Sequence, residues 1–189
     1  SRPLTSIPGD VFNYNTGLSN LIAPIIEYST KKSMIDFADD QLFKKLNITN
    51  YKWNTIIDSY PSSGGTQGGL YLKPRDMAKL GQLHLNGGIW NDNRILSLEW
   101  INHSTSPQIS ASSNVSYGYQ WWIRKGFKNK GKDLVAYDAA GDGGQFIFVF
   151  PELDLVVAFT GGNNTWLVDR SKMFQPLNIL REYILPSIE

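Results

Sequence analysis

The stretch 139-AAGDGGQFIFVFPELDLVVAFT-160 decides the fold. Within it, GQFIFVF and DLVVAFT are short runs of aromatic and β-branched residues, and Pro151-Glu152-Leu153-Asp154 between them is a turn. The pattern predicts two consecutive antiparallel strands. Glycines 141, 143 and 144 crowd the start of the first strand, marking either a plain hairpin turn or a strand edge that a second backbone or a substrate approaches closely. Upstream, DLVAYDA (Asp133–Ala139) and YGYQWWIR (Tyr117–Arg124) have the same character, so the region from about residue 115 reads as a meander. The segment before it is helical. Leu18, Leu21, Ile22, Ile25 and Ile26 fall on one face of a helix running to about Thr30, with Pro24 a kink or a late start. Ser33, with Asp36 three residues on, caps a second helix that ends near Asn47. Pro74 opens a third, which stops at Gly87-Gly88, and Ser97 a short fourth. A last helical stripe runs from about Arg170 to Leu185 through Met173, Leu177, Leu180 and Ile184. Helices, then an antiparallel meander, then a C-terminal helix make an α+β protein, with the helical part over about residues 1–112 and the strands and final helix over about 115–189.

At 189 residues the chain is long enough to bury a core without disulfides or metal, and it contains no cysteine. That removes thiolate nucleophiles and zinc-thiolate sites. The 18 basic and 17 acidic residues nearly cancel, and the one basic run, Arg124 to Lys132 (RKGFKNKGK), reads as a solvated hairpin loop, so no nucleic-acid partner is expected. No apolar stretch has membrane-spanning length. Neither His84 nor His103 has a metal-ligand spacing, no cofactor motif is present, and no cofactor is expected. The segment from Asn50 to Gly69 is turn-rich and reads as a long irregular segment rather than a strand, and its glycine-rich part, Gly64 to Gly69, is expected to border a cleft.

Three features bear on chemistry. The stretch 8-PGDVFNYNTG-17 sets a tyrosine, Tyr14, at a loop-to-helix junction. A single Ser-x-x-Lys, Ser29-Thr30-Lys31-Lys32, falls at a helix end, where lysine suits the dipole and serine favours termination, and no Gly-x-Ser-x-Gly elbow is present. Trp121, Trp122, Tyr119 and Trp166 are either core or the walls of a pocket.

Taken in order, PGDVFNYNTG, LFKKLNI (Leu42–Ile48), GGLYLKPRDMAKLGQLHLNGG (Gly68–Gly88), YGYQWW and AAGDGGQFIFVFPELDLVVAFT resemble the downstream part of the penicillin-recognising serine hydrolase family, which includes class C β-lactamases, D-alanyl-D-alanine carboxypeptidases and related esterases. The resemblance implies a serine β-lactamase-like fold and hydrolysis of an ester or amide through an acyl-enzyme, with a small molecule as substrate. It places the nucleophile in a Ser-x-x-Lys upstream of the tyrosine motif, so the chain is expected to be one partial domain whose partner is an N-terminal segment of the same protein, and to be inactive alone. By the same resemblance Tyr14 is the catalytic tyrosine that shares a proton with the upstream lysine, and the backbone N–H of Gln145 is an oxyanion donor. Asn15, Asp142, Gly143, Gly144 and Trp121 are the expected substrate-binding residues. The family's usual location points to the cell envelope or an exported protein. Two positions depart from the family pattern. The asparagine is adjacent to the tyrosine, with Thr16 in the second position, and Asp142 stands where a cation or histidine is usual. A carboxylate there repels acidic substrates. A non-catalytic binding module is the alternative.

Overall fold

The structure, a computed structural model, describes residues 4, 6–54, 69–163 and 169–189. Most of the glycine-rich loop and Trp166 lie outside the described residues. Its centre is a six-stranded antiparallel sheet formed by β5 (Ile109–Ser112), β6 (Val115–Tyr117), β7 (Trp122–Asn129), β8 (Lys132–Gly141), β9 (Gln145–Phe150) and β10 (Leu155–Phe159). The strands lie in sequence order across the sheet, as a meander requires. Two short ribbons flank the helical part, β1 (Lys52–Trp53) with β2 (Leu70–Tyr71), and β3 (Ile89–Trp90) with β4 (Asn93–Arg94).

The predicted first helix is two. α1 (Thr16–Ser19) is a single turn, and α2 (Ile22–Thr30) carries Pro24 in its first turn, where a missing N–H costs nothing. α3 (Met34–Ala38) starts at the predicted cap: Ser33 Oγ accepts from the Asp36 N–H at 3.0 Å. A π-helical turn, Asp39–Phe43, extends it, and Asn47 follows with a left-handed φ of 51°. α4 (Pro74–Leu85) begins on its proline, and α5 (Leu98–Ser104) is capped by Ser97. The C-terminal helical segment, which opens with a 3-10 stretch, Arg170–Phe174, runs through α6 (Gln175–Ile179), a second π-helical turn, Leu180–Ile184, and α7 (Leu185–Ser187).

YGYQWWIR is not one strand. Gly118 to Trp121 form a tight turn between β6 and β7, closed by the Gly118 N–H donating to Trp121 O at 2.8 Å. The meander also begins earlier than the sequence suggested, at Ile109, and β7 continues through the basic run to a turn at Lys130-Gly131, whose φ values are 48° and 82°.

The sheet's alternation separates two cores. Phe127, Leu134, Ala136, Phe146, Phe148 and Phe150 face the C-terminal helical segment and pack on Leu180 and Leu185. Trp121, Ile123, Tyr137, Ile147 and Val149 face α4, meeting Met77 and Leu80. Phe43, Leu46, Ile48 and Leu83 form a third cluster beneath the two ribbons.

Candidate active site

Tyr14 owes its position to the cap that follows it. Asn15 is extended (φ −139°, ψ 105°), and its Oδ1 accepts from the Gly17 N–H at 2.9 Å, which fixes the angle at which the chain enters α1. Tyr14 then stacks on Trp122, with ring centres 5.5 Å apart and planes 26° apart, and meets Tyr117 edge-on at 6.1 Å. Phe12 closes the cluster, 5.4 Å from Tyr117 and 5.7 Å from Trp122. Half of Tyr14, 51 %, is still exposed. It stands in a cleft of about 280 Å³ whose walls include Asn15, Leu18, Ser19, Tyr117 and Gln120. Thr16 is the first residue of α1, so of the two candidates following the tyrosine it is Asn15 that lines the cleft.

Tyr117, largely removed from water, has its phenol pushed up to about 12 by burial, with a smaller contribution from Tyr14, and it stays protonated at neutral pH. Beneath Trp122 sits an ion pair. Arg124 lies 5.4 Å over the Trp122 ring, and its Nε is 2.6 Å from Oδ1 of Asp138, a fully buried carboxylate. Burial pushes Asp138 up to about 6 and the Arg124 guanidinium opposes it.

The second predicted element is the tip of the β8–β9 hairpin. Gly143 and Gly144 are both left-handed, at φ 82° and 92°, and Gly143 bridges to Asn163, whose N–H donates to Gly143 O at 3.0 Å. The Gln145 side chain clasps the same segment, its Nε2 donating to Gly161 O and its Oε1 accepting from the Gly161 N–H at 3.3 Å. Asn163 in turn donates to Lys172 O and Gln175 Oε1 at 3.2 and 3.3 Å, which ties the tip to the C-terminal helical segment. Asp142 is exposed and the two glycines are buried. Glycine is required here: a Cβ on Gly161 would lie 2.5 Å from Gly143 O. This tip is a braced backbone corner. Neither it nor Gln145 is part of the lining of the Tyr14 cleft.

Trp121 is in neither place. It is 8 % exposed and packs edge-on to Tyr137 at 5.3 Å and against His84 at 4.6 Å in the core under α4. The alternation of the strand puts its neighbour Trp122 on the opposite face, against Tyr14. Tyr117 and Gln120 are cleft-wall residues that sequence reading did not single out, while Trp122, read with Trp121 as core or pocket wall, stacks on Tyr14 behind the lining of the cleft. The signal was present in the closely spaced aromatics of YGYQWW, but seeing it requires the turn at Gly118 that pairs Tyr117 with Trp122. His84 Nδ1 donates to Leu80 O at 3.0 Å, and burial lowers its affinity for a proton. The Ser29–Lys32 motif is committed elsewhere. Ser29 Oγ donates to Ile25 O at 2.7 Å, and Lys32 pairs with Asp40 at 2.8 Å.

A half-exposed tyrosine at a loop-to-helix junction, walled by aromatics at the margin of an antiparallel sheet with helices on both faces, defines a β-lactamase-like fold. The model of the family described as Beta-lactamase matches residues 1–174, and the chain belongs to that family of hydrolases. It is 25 % identical over 168 residues to the 6-aminohexanoate-dimer hydrolase of Paenarthrobacter ureafaciens, covering 82 % of this chain and 41 % of that protein. A Bacillus anthracis protein assigned as a 6-aminohexanoate-dimer hydrolase superposes with a TM-score of 0.71 at 26 % identity, over 93 % of this chain and 45 % of that one. The penicillin binding protein of Bacillus halodurans, at 16 % identity, shares the fold with a TM-score of 0.71 over 94 % of this chain and 59 % of its own. The chain thus spans less than half the length of the first two relatives.

Proposed function

We propose that this chain supplies the tyrosine-bearing part of a serine hydrolase that cleaves an ester or amide of a small molecule through an acyl-enzyme. The observation that carries the reading is Tyr14, half exposed in an aromatic-walled cleft of a Beta-lactamase family member. In this reading a serine oxygen attacks the substrate carbonyl and its proton passes to a lysine and Tyr14. The proton then goes to the leaving nitrogen or oxygen, and water releases the acyl group. The resemblance assigns that serine and lysine to a Ser-x-x-Lys upstream of the tyrosine motif. The commitment of Ser29 and Lys32 to other partners supports looking for them there. The Gln145 N–H serves as an oxyanion donor once that segment is in place.

An exposed carboxylate at Asp142 disfavours a substrate carboxylate and favours a neutral or cationic group. A linear dimer of an amino acid, the kind of substrate named for the two relatives, carries an amine at one end and a carboxylate at the other, so it meets that requirement only with its amine end towards Asp142. The test is intact-mass spectrometry after treatment with a fluorophosphonate, with peptide mapping. We expect no adduct on the 189-residue chain, and one on an upstream serine in the longer polypeptide. An adduct on Ser29 overturns this assignment of the nucleophile. Absence of any adduct in the longer polypeptide favours a non-catalytic binding module, the alternative motivated by the absence of an upstream-type Ser-x-x-Lys from these 189 residues together with the acidic Asp142.

A further inference from the structure

We infer that Gln120 sets the chemical selectivity of the Tyr14 cleft, its side-chain oxygen accepting a hydrogen bond from the N–H of a substrate amide. The inference rests on the reading of this cleft as the substrate site and adds to it a preference for amides over esters.

Three observations converge on Gln120. Its backbone is left-handed, at φ 67°, within the tight turn closed by Gly118 and Trp121. That region suits glycine, and among other residues it suits asparagine and aspartate, whose short side chains bond locally. A long carboxamide is held there against backbone preference, and strain of this kind concentrates at functional positions. Gln120 also forms part of the cleft wall together with Tyr14 and Ser19. Lastly, its polar atoms are weakly engaged. Oε1 accepts from the Tyr117 hydroxyl and Nε2 donates to Ser19 Oγ, both at 3.5 Å, the outer limit for a hydrogen bond.

A carboxamide oxygen has two lone pairs, so Oε1 has capacity for a second donor while Nε2 keeps its contact with Ser19. A substrate amide offers an N–H for that oxygen. An ester of the same shape offers a bridging oxygen instead, which brings lone pair against lone pair and leaves Oε1 without a second donor in the filled cleft.

The experiment uses the 189-residue chain labelled with 15N and two probes of equal length, N-methylhexanamide and methyl hexanoate. The Gln120 side-chain NH2 signals are assigned by their loss in Gln120→Gly, a substitution that the φ of 67° accommodates. The amide should move these signals and bind about tenfold more tightly than the ester, the size expected for one hydrogen bond with its unmet alternative. Gln120→Gly should erase the preference, and Gln120→Glu, which retains an acceptor, should keep it. Equal affinity for the two probes, no binding of either, or a preference that survives Gln120→Gly would each overturn the inference. Binding is read without turnover, so the measurement decides the question even on a catalytically inert chain, and failure of the fluorophosphonate labelling remains a separate result.

Discussion

At Asp138 a carboxyl is held out of water against Arg124, and its second oxygen, Oδ2, has no hydrogen-bond partner among the described residues. A buried pair of this kind is weak evidence for stability, because desolvation offsets much of the Coulomb gain. Its titration makes it measurable. A carboxyl pushed up to about 6 by burial holds its proton more tightly in the folded chain than in the unfolded one, where the usual value is near 4. Its contribution to stability is therefore full below about pH 4 and is lost as pH rises through about 6. Urea denaturation of wild type and Asp138→Asn across pH 4 to 7 should show that the substitution removes a fall in stability over this window. Parallel pH profiles would contradict the assignment. Tyr14 belongs to the same scale. On the reading of Tyr14 as a proton-transfer group, Tyr14→Phe in the catalytically competent polypeptide should lower kcat by about 100-fold, with KM changed much less. Unchanged turnover would remove Tyr14 from the proton path. The substitution should leave the fold intact, because stacking on Trp122 is a property of the ring.

Among the elements, α4 and the turn between β6 and β7 depend on glycine for reasons of space. α4 lies so close to the sheet that a Cβ on Gly81 would stand 2.6 Å from Val156 Cγ1 and 2.8 Å from Ile147 Cγ2. Both neighbours are β-branched and stiff, so they yield little. Gly81→Ala gains helix propensity of about 1 kcal/mol but overpacks the interface, and a net loss of about 1–2 kcal/mol in denaturant unfolding is expected. Gly118 is tighter: a Cβ there would be 2.2 Å from Ser104 O and 2.9 Å from Ser106 O, both backbone atoms. Gly118→Ala should cost more than Gly81→Ala, and, by moving the turn, should disturb the Tyr117–Trp122 pair on which Tyr14 rests. Near-UV circular dichroism reports that disturbance directly. A substitution as mild at Gly118 as at Gly81 would show that the turn can relax.

Over the whole molecule the apolar surface is unevenly covered. The sheet is sandwiched between α4 and the C-terminal helical segment, and its central phenylalanines, Phe146, Phe148 and Phe150, are fully buried. By contrast Val11, Leu18, Leu21, Ile25 and Tyr28 are each more than half exposed, around the helices that follow Tyr14. Exposed apolar surface of this kind promotes association. The 189-residue chain should therefore self-associate as its concentration rises, and Leu21→Lys with Ile25→Lys should reduce this in sedimentation velocity while changing stability by less than about 1 kcal/mol. Sedimentation identical for the two chains would show that this face contributes nothing to association. No helix among the described residues is long and apolar enough to cross a membrane.

Local rules carried much of this fold. The aromatic and β-branched runs GQFIFVF and DLVVAFT with the turn between them, the serine caps at Ser33 and Ser97, Pro74 at a helix start and the stop at Gly87-Gly88 act between residues close in the chain, so the helices, the meander order and the position of Tyr14 ahead of a helix were legible in the sequence alone. The family match lay in the order of its motifs. What surrounds each side chain was decided only by the tertiary structure. Trp121 and Trp122 are neighbours of one type, yet the pleat sends one into the core under α4 and the other against Tyr14. Gln120 reads as an ordinary polar residue until the turn at Gly118 swings it into the cleft wall with a left-handed backbone. Asp138 sits in a strand pattern that gives no hint of an arginine across the ladder. Such pairings join residues distant in sequence, and their strength comes from burial, which no local window of residues contains.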